Sequence, residues 1–283
     1  MPLTSPRWQQ FAQTIYDAAP VRPEQADYVF KIVNSGRELL QAFGLLYREY
    51  LQAGYVCQSP SELLYTRHHL LPETTVFVAK ADSAVLSTAT VVQDCREFGL
   101  PMDGLYQSEL DTLRKQGRRI LEICSLASDR QRFTRKGIQD FTRLLFLFCL
   151  HLNVDDLCIM INPKHASLYT CRCEFEIFGQ EKFYPRVQAP AIALRADARM
   201  MREKLKDKGF ASATSTSLPA QCNATRFTLC DNVTDILKNG SSMPRLNPLN
   251  ATMVKTLLAL TCPTQLELSP EYVSFLQNEY PGI

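Results

Sequence analysis

Residues 119–127 read Arg-Ile-Leu-Glu-Ile-Cys-Ser-Leu-Ala, and residues 132–138 follow as Arg-Phe-Thr-Arg-Lys-Gly-Ile. The first stretch has the pattern of a strand and places one carboxylate, Glu122, between apolar neighbours. The second stretch is a basic turn with one glycine that opens a long helix. Such a turn offers backbone N–H groups and the positive end of the helix dipole to an anion, for which phosphate is the natural choice. The two stretches together predict an acid/base group and a phosphate clamp in one site.

The gross composition excludes several classes of protein. The chain has 283 residues, of which 46% are hydrophobic and 21% charged, and its formal net charge is only +2. So small an excess of positive charge predicts no nucleic-acid partner. The longest apolar run, Leu144 to Leu150, is far shorter than the roughly 20 residues that cross a bilayer. The first ten residues lack the apolar core of a signal peptide. We therefore expect no transmembrane segment and a cytoplasmic location.

The cysteines predict neither a disulfide framework nor a metal site. There are ten of them, scattered through the chain at strand and helix positions. Scattered, mostly buried thiols are typical of a reduced protein. The one close pair, Cys171 and Cys173, has no second pair or suitably spaced histidines to complete a zinc site. We therefore expect no bound metal.

The hydrophobic periodicity divides the chain into three regions. Residues 1–25 carry four prolines and read as an N-terminal arm with a helix near residues 8–17. Residues 26–199 alternate between strand and helix patterns, which predicts a mixed central sheet flanked by helices, an α/β domain. The expected strands are 28–33, 74–80, 85–92, 119–127, 157–161, 174–179 and 191–195, and the expected helices are 37–53, 106–116, 136–153 and 164–171.

Residues 200–283 form a C-terminal extension of different composition. Helices are predicted at residues 200–208 and 250–260, and another follows Ser269, which can cap it, and Pro270, which suits a first turn. No catalytic motif is visible in this extension. It could cover the core of the domain, contribute to a homodimer, or stay mobile.

Four short stretches resemble one family of acyltransferases. The order of elements is similar to the GNAT acyltransferase fold, whose fourth strand precedes a phosphate-binding loop, here Arg132 to Gly137. A closer resemblance is to the N-acyl amino acid synthases, relatives of the acyl-homoserine-lactone synthases. It is carried by Leu-Tyr-Arg-Glu-Tyr at 46–50, Gly-Leu-Pro-Met-Asp at 99–103, residues 121–127, and Asn-Pro-Lys-His-Ala-Ser-Leu-Tyr at 162–169.

The resemblance implies an N-acyltransferase. The expected reaction joins a long-chain fatty acyl group, carried on the phosphopantetheine of acyl carrier protein, to the amino group of an amino acid, without a permanently bound cofactor. Arg135 replaces the first glycine of the GNAT loop. A side chain there is more compatible with the single phosphate of a carrier protein than with a pyrophosphate that the backbone must approach closely. Two alternatives stay open: an acyl-CoA-dependent GNAT enzyme acting on another amine, and a non-catalytic acyl-binding module.

The chemistry assigns roles to a few residues. Glu122, its pKa raised by burial, is the predicted general base; it could instead pair with Arg118 or Arg119. The resemblance places Tyr169 near the departing thiolate as a general acid, although the ring could simply pack the short helix. Arg48 is the predicted partner of the acceptor carboxylate, unless it is an ordinary surface arginine.

The donor phosphate has its own predicted clamp. The cations of Arg132, Arg135 and Lys136 lie beside the backbone N–H groups of Gly137 and Ile138 in the predicted turn. Because an acidic carrier protein would approach the same turn, its association is expected to be steered by charge.

Overall fold

The computed structural model describes residues 28–206, 227–239, 248–260, 266 and 268–283. The predicted arm of residues 1–25 lies outside the described residues. The strands in this part of the chain are β1 Tyr28–Ile32, β2 Thr75–Ala81, β3 Ala84–Gln93, β4 Ile120–Ser128, β5 Asp156–Ile161, β6 Glu176–Tyr184, β7 Ala189–Asp197 and β8 Phe227–Leu229. The α-helices are α1 Gly36–Gln52, α2 Asp103–Lys115, α3 Arg135–His151, α4 Ala166–Arg172, α5 Ala198–Lys206, α6 Asp231–Asn239, α7 Ala251–Leu260 and α8 Pro270–Glu279.

All of these strands join one mixed sheet in the order β6-β7-β5-β4-β3-β2-β1-β8. The pairs β4–β5 and β1–β8 are parallel, and the remaining neighbours are antiparallel. The predicted hairpin of β2 and β3 is present, with Asp82 in the left-handed region at φ 52°. The predicted α/β class, a mixed sheet flanked by helices, is confirmed.

The two faces of the sheet are covered by different helices because side chains alternate along each strand. Phe77 and Leu121 belong to a buried cluster that also holds the apolar side chains of α3. Val76 and Val78 point to the opposite face and pack with side chains of α1, α7 and α8. On that same face Ile120 packs against α2. Glu122, two residues further along β4, therefore points to the face that carries α1 and α2.

The middle of the sheet opens where β4 and β5 part. These two strands pair only from Ile120 with Asp156 to Glu122 with Cys158. Beyond that point β4 contains a bulge, since the pairing with β3 shifts between Thr88 and Thr90, and Ser125 adopts φ 53°. A bulge bends its strand and increases its local twist. The two strands consequently separate beyond Glu122 and leave a gap in the sheet.

Ion pairs hold the other end of β4 and β5 together. Arg118, just before β4, donates to the buried carboxylate of Asp156 and to Asp197 on β7, the latter at 2.7 Å. Arg195 donates to Asp156 at 2.6 Å from the other side. Asp156 and Asp197 balance the charges of Arg118 and Arg195, so both buried or half-buried carboxylates are paired. This network ties the ends of β4, β5 and β7 together, opposite the gap.

The C-terminal extension contributes to both the sheet and the core. β8, which the sequence pattern did not predict, pairs with β1 at the edge of the sheet. The three predicted helices are present as α5, α7 and α8, and Ser269 caps α8 by accepting from the N–H of Tyr272 at 3.2 Å. Side chains of α7 and α8 are buried on the α1 face: Val254, Leu257, Tyr272 and Leu276. The described residues of this extension therefore cover the core, which was one of the three expectations for it. Among the described helices, none is both long and apolar enough to span a membrane.

Candidate active site

A cavity of about 1190 Å³ lies at the gap between β4 and β5. Its walls come from both faces of the sheet. On the α1 face it is lined by Glu122, Cys124, Tyr50, Tyr55, Tyr65 and Pro101. On the α3 face it is lined by Ile123, Ile138, Thr142, Leu145, Phe146 and Ile159. One half therefore carries the carboxylate and several phenol rings, and the other half is mainly aliphatic and aromatic.

Glu122 has a half-satisfied carboxylate inside this cavity. The residue has 0% relative exposure, and Oε2 accepts a hydrogen bond from the backbone N–H of Met102 at 2.8 Å. Oε1 is buried and has no hydrogen-bond partner among the described residues. Burial raises the pKa of Glu122 to about 8, and the bond from Met102 opposes part of that rise. Such a carboxyl group can release and accept a proton near neutral pH.

The loop of residues 99–103 holds Met102 in place. Gly99 has φ 59°, and a side chain there would collide with the carboxylate of Asp103. Oδ2 of Asp103 accepts from the N–H of Leu100 at 2.6 Å, which closes the loop into a tight turn. Arg114 then ties Asp103 and Asp94 together, each at 2.7 Å. The structure thus gives a role to a stretch that the sequence analysis used only for its resemblance.

The alternative environment for Glu122, an ion pair with a neighbouring arginine, is not formed. Arg118 donates to Asp156 and Asp197, and Arg119 lies near Asp155. Both arginines therefore bind carboxylates at the end of β4 that pairs with β5, away from the carboxylate of Glu122. The predicted burial of Glu122 is confirmed, and its role as a base stays a prediction.

Tyr169 lies on α4 and lines the cavity. Burial, together with Cys173, raises the pKa of Tyr169 to about 12. Its ring also makes an edge contact with Phe175, with centroids 5.9 Å apart. Tyr169 therefore both packs against Phe175 and forms part of the cavity wall.

The predicted donor clamp is only partly assembled. Arg132, Arg135 and Lys136 are exposed at the start of α3, and Ile138 lines the cavity. The N–H of Gly137 already donates to Oγ1 of Thr134 at 3.0 Å, and the N–H of Ile138 donates to the Thr134 carbonyl at 3.0 Å. Thr134 is the N-cap of α3, and a cap satisfies the donors that the prediction had assigned to phosphate. The cations lie where expected, but those two N–H groups have a partner within the chain.

Arg48 lies on the exposed side of α1 and is not part of the cavity wall. Other cations line the cavity instead: Arg130, Arg143, Lys164 and Arg186. Arg143 is bound to the buried carboxylate of Asp140 at 2.7 Å. The positive charge of Arg186 helps to lower the pKa of His68 and of His69, so Arg186 lies on the α1 face, towards the Glu122 half. The hairpin between β6 and β7 that carries Arg186 had no signal in the sequence that linked it to the site.

Comparisons with known proteins show which family and which solved structures this chain is similar to. A family model described as the N-acyl amino acid synthase FeeM matches residues 41–197. The solved structure of FeeM, an N-acyl amino acid synthase from uncultured soil microbes, is 25% identical and superposes with a TM-score of 0.56. That similarity covers 65% of this chain and 99% of FeeM. The family match contains every predicted site residue, from Arg48 to Tyr169.

A second solved structure supports the fold. BjaI, a CoA-dependent acyl-homoserine lactone synthase solved with MTA, is 13% identical with a TM-score of 0.51, over 74% of this chain and 98% of that one. At that identity the similarity concerns the fold alone. No curated protein sequence matches the chain significantly.

Proposed function

Because this chain belongs to the FeeM family of N-acyl amino acid synthases, we propose that it transfers a long-chain acyl group from acyl carrier protein to the amino group of an amino acid. The broader activity, acyl transfer, follows from the family. The observation that carries the proposed acylation of an amine is the buried carboxyl of Glu122, which has one oxygen without a partner among the described residues and a pKa raised to about 8 beside a large cavity.

The pKa of Glu122 suits the proton that has to be removed. An α-ammonium group has a pKa of about 7.7–8.0 at a chain terminus and a higher one in a free amino acid, so its proton transfers to Glu122 at a smaller free-energy cost than to a carboxylate of ordinary pKa. The neutral nitrogen then attacks the thioester carbonyl, a C–N bond forms, and the C–S bond breaks. The nitrogen, cationic after the attack, loses a further proton to water as the amide forms. The thiolate leaves with the carrier and takes a proton from water, and Glu122 returns the proton that it removed to solvent.

Tyr169 is assigned the role of stabilising the departing sulfur. With its pKa raised to about 12, the phenol stays protonated across the neutral range and donates a hydrogen bond. Full proton transfer to a thiolate would run uphill, because free thiols have pKa values near 8.5. We therefore assign stabilisation of the thiolate to Tyr169 and final protonation to water.

Direct transfer is favoured over an acyl-enzyme intermediate. Cys124 lines the cavity two residues from Glu122, and burial, reinforced by the charge of Glu122, raises the pKa of its thiol. A thiol becomes a good nucleophile when its pKa is lowered. Cys124 therefore serves as part of the wall.

The α3 half of the cavity suits the acyl chain. Leu145, Phe146, Ile138 and Ile159 give it an apolar surface. The whole cavity of about 1190 Å³ exceeds the roughly 300–1,000 Å³ that is usual for small-molecule sites. That volume leaves room for a long chain and an amino acid together.

The carrier-protein donor is proposed from the exposed cations around the start of α3, the helix whose Ile138 lines the cavity. Arg130, Arg132, Arg135 and Lys136 are all exposed around the start of α3. Such a cluster attracts an acidic carrier and binds a single phosphate. The acceptor carboxylate is assigned to Arg186, which lines the cavity on the Glu122 side.

Product analysis with two donors tests the proposal. The purified protein is given an amino-acid mixture and either long-chain acyl carrier protein or the matching acyl-CoA, and products are identified by mass spectrometry. We expect N-acyl amino acids, formed faster from the carrier protein, with a rate that falls steeply as salt rises. Arg135→Ala should lower use of the carrier, while Arg37→Ala, an exposed arginine in the first turn of α1, should not. Equal use of acyl-CoA would replace the carrier-protein donor by CoA, and absence of any N-acyl product would refute the function.

A further inference from the structure

We propose that α8 positions Glu122: its aromatic side chains fix Phe98, and through it the loop whose backbone N–H binds the Glu122 carboxylate. This inference rests on the proposed function of Glu122 as the base. It gives the C-terminal extension, which lies beyond the family match ending at residue 197, a direct part in the active site. Phe98, Tyr272 and Phe275 are positioning residues, since none of them lines the cavity.

The first link is an aromatic cluster of three rings. Phe98 makes edge contacts with Tyr272 and Phe275, with ring centroids 4.7 and 4.9 Å apart. Tyr272 and Phe275 are themselves 6.2 Å apart on α8. Tyr272 is fully buried. Aromatic pairs at these separations are stabilising and strongly orientation-dependent, so the ring of Phe98 has one preferred position.

The second link fixes the backbone around Phe98. The hydroxyl of Tyr272 donates to the carbonyl of Arg67 at 2.5 Å, and that of Tyr280 donates to the carbonyl of Leu70 at 3.1 Å. These bonds hold the short 3₁₀ turn of residues 67–70 against the C-terminal helices. His68 in this turn contacts the carbonyl of Phe98 through Nε2 at 3.3 Å. Because a carbonyl can only accept, Nε2 carries the proton.

The third link runs from Phe98 to the carboxylate. The next residue is Gly99, whose N–H donates to the carbonyl of Cys95 at 2.9 Å. The turn that follows is closed by Asp103 and ends in the Met102 N–H that binds Glu122 Oε2 at 2.8 Å. Only three residues therefore lie between Phe98 and Met102, whose N–H makes the one hydrogen bond that the Glu122 carboxylate accepts from the described residues. A displacement of Phe98 lengthens that bond, and its loss removes a partner that favours the ionised form of Glu122.

The same helices also shape the acceptor half of the cavity. Tyr65 lines the cavity, and its hydroxyl donates to the carbonyl of Leu257 on α7 at 2.5 Å. The ring of Tyr65 stacks on Phe43 of α1 with centroids 4.9 Å apart. The extension thus holds both the base and one wall beside it.

The test compares Phe275→Ala with two matched variants. Phe275→Leu keeps apolar volume next to Phe98, and Val254→Ala shortens a buried side chain of α7 that is outside the aromatic cluster. The primary readout is the titration of the Glu122 carboxyl carbon by NMR, in protein labelled at the glutamate carboxyl and assigned with Glu122→Gln. This readout needs no turnover, so it decides the inference even if the proposed function fails.

Phe275→Ala should raise the titration midpoint of Glu122 above the wild-type value, because the bond from Met102 is weakened. Where turnover is measurable, kcat should fall by about 10- to 100-fold, as for other small misplacements of catalytic groups. Phe275→Leu should recover most of both effects, and Val254→Ala should leave the midpoint in place. A midpoint that is unchanged or lower in Phe275→Ala, or one that moves equally in Val254→Ala, would overturn the inference.

Discussion

At the scale of single residues, the decisive feature is the carboxylate of Glu122: one oxygen accepts a hydrogen bond, and the other has no partner in the part of the chain that the structure describes. The sequence predicted that Glu122 would be buried, because apolar residues flank it on a strand. It could not predict the bond from Met102, which is 20 residues away along the chain. It also could not exclude the pairing with Arg118, because both residues are close in sequence and only the fold turns the arginine towards Asp156.

The acceptor carboxylate offers a test at this scale. The sequence prediction assigned it to Arg48, whereas the cavity is lined by Arg186. A hydrogen-bonded ion pair contributes about 1.5–3 kcal/mol, so Arg186→Gln should raise the acceptor KM by roughly 10- to 150-fold for an amino acid. The corresponding amide, which lacks the carboxylate, should be affected much less.

Steady-state kinetics on the acid and its amide provide the measurement. Arg48→Gln serves as the matched variant, and we expect its KM values to stay close to those of the wild type. If Arg48→Gln instead raises the KM for the acid alone, the prediction from sequence is right and the assignment to Arg186 fails.

At the scale of secondary structure elements, the start of α3 combines a cap with tight packing. Thr134 caps the helix, and a Cβ atom on Gly137 would lie 2.9 to 3.3 Å from atoms of the Phe133 ring. From the sequence, this glycine was expected to belong to a phosphate-binding loop. The structure adds a packing reason for it, which depends on a ring four residues earlier that is 2% exposed.

Gly137→Ala should therefore destabilise the protein. Overpacking of this kind costs about 1–3 kcal/mol, which exceeds the gain of about 0.4–1 kcal/mol expected for alanine over glycine in a helix. Gly104→Ala on α2 is the control, since no atom of the described residues lies within 4 Å of its Cβ position, and it should be neutral or stabilising. Chemical denaturation gives both free energies of unfolding; a stabilised Gly137→Ala would contradict the packing account.

The periodic elements were predictable and the edge of the sheet was not. α1 and α3 have apolar stripes over 17 residues each, and the predicted bounds agree within two residues. β8 has three residues and pairs with β1, nearly 200 positions earlier in the chain. A strand this short carries too few residues for a period of two to be recognised.

At the scale of the whole molecule, two buried histidines link stability to pH. Burial lowers the pKa of His68 to about 4 and that of His69 to about 3, from the usual 6.5. The unfolded chain therefore binds protons that the folded protein does not. The stability that these residues provide is complete above about pH 6.5 and is lost as the pH falls towards 4.

Unfolding measurements between pH 7 and 4.5 should show this loss. When fully expressed, these pKa differences correspond to roughly 3 kcal/mol for His68 and roughly 5 kcal/mol for His69. His68→Gln keeps an N–H donor for the Phe98 carbonyl, and its free energy of unfolding should fall less steeply as the pH is lowered. An equally steep fall in the variant would show that other groups cause the loss of stability.

Glu122 acts on stability in the opposite direction. Its pKa is raised to about 8, so the folded protein holds a proton that the unfolded chain releases above about pH 4.5. The stabilising contribution is complete below that value and is lost as the pH rises towards 8. The histidines destabilise the protein at lower pH and Glu122 destabilises it at higher pH, so the protein should be most stable in mildly acidic solution. Glu122 is most active as a base above pH 8. Burial that makes Glu122 a useful base thus costs stability where the enzyme works fastest.

The most direct test of the central claim is the pH dependence of kcat for amino-acid acylation, in the wild type and in Glu122→Gln. The wild-type kcat should rise with pH through a midpoint near 8 and reach a plateau, because the carboxylate form of Glu122 removes the proton. Glu122→Gln, with its fold verified by circular dichroism, should be about 10²- to 10⁴-fold slower on the plateau. If the variant keeps the wild-type kcat across the neutral range, Glu122 is not the base.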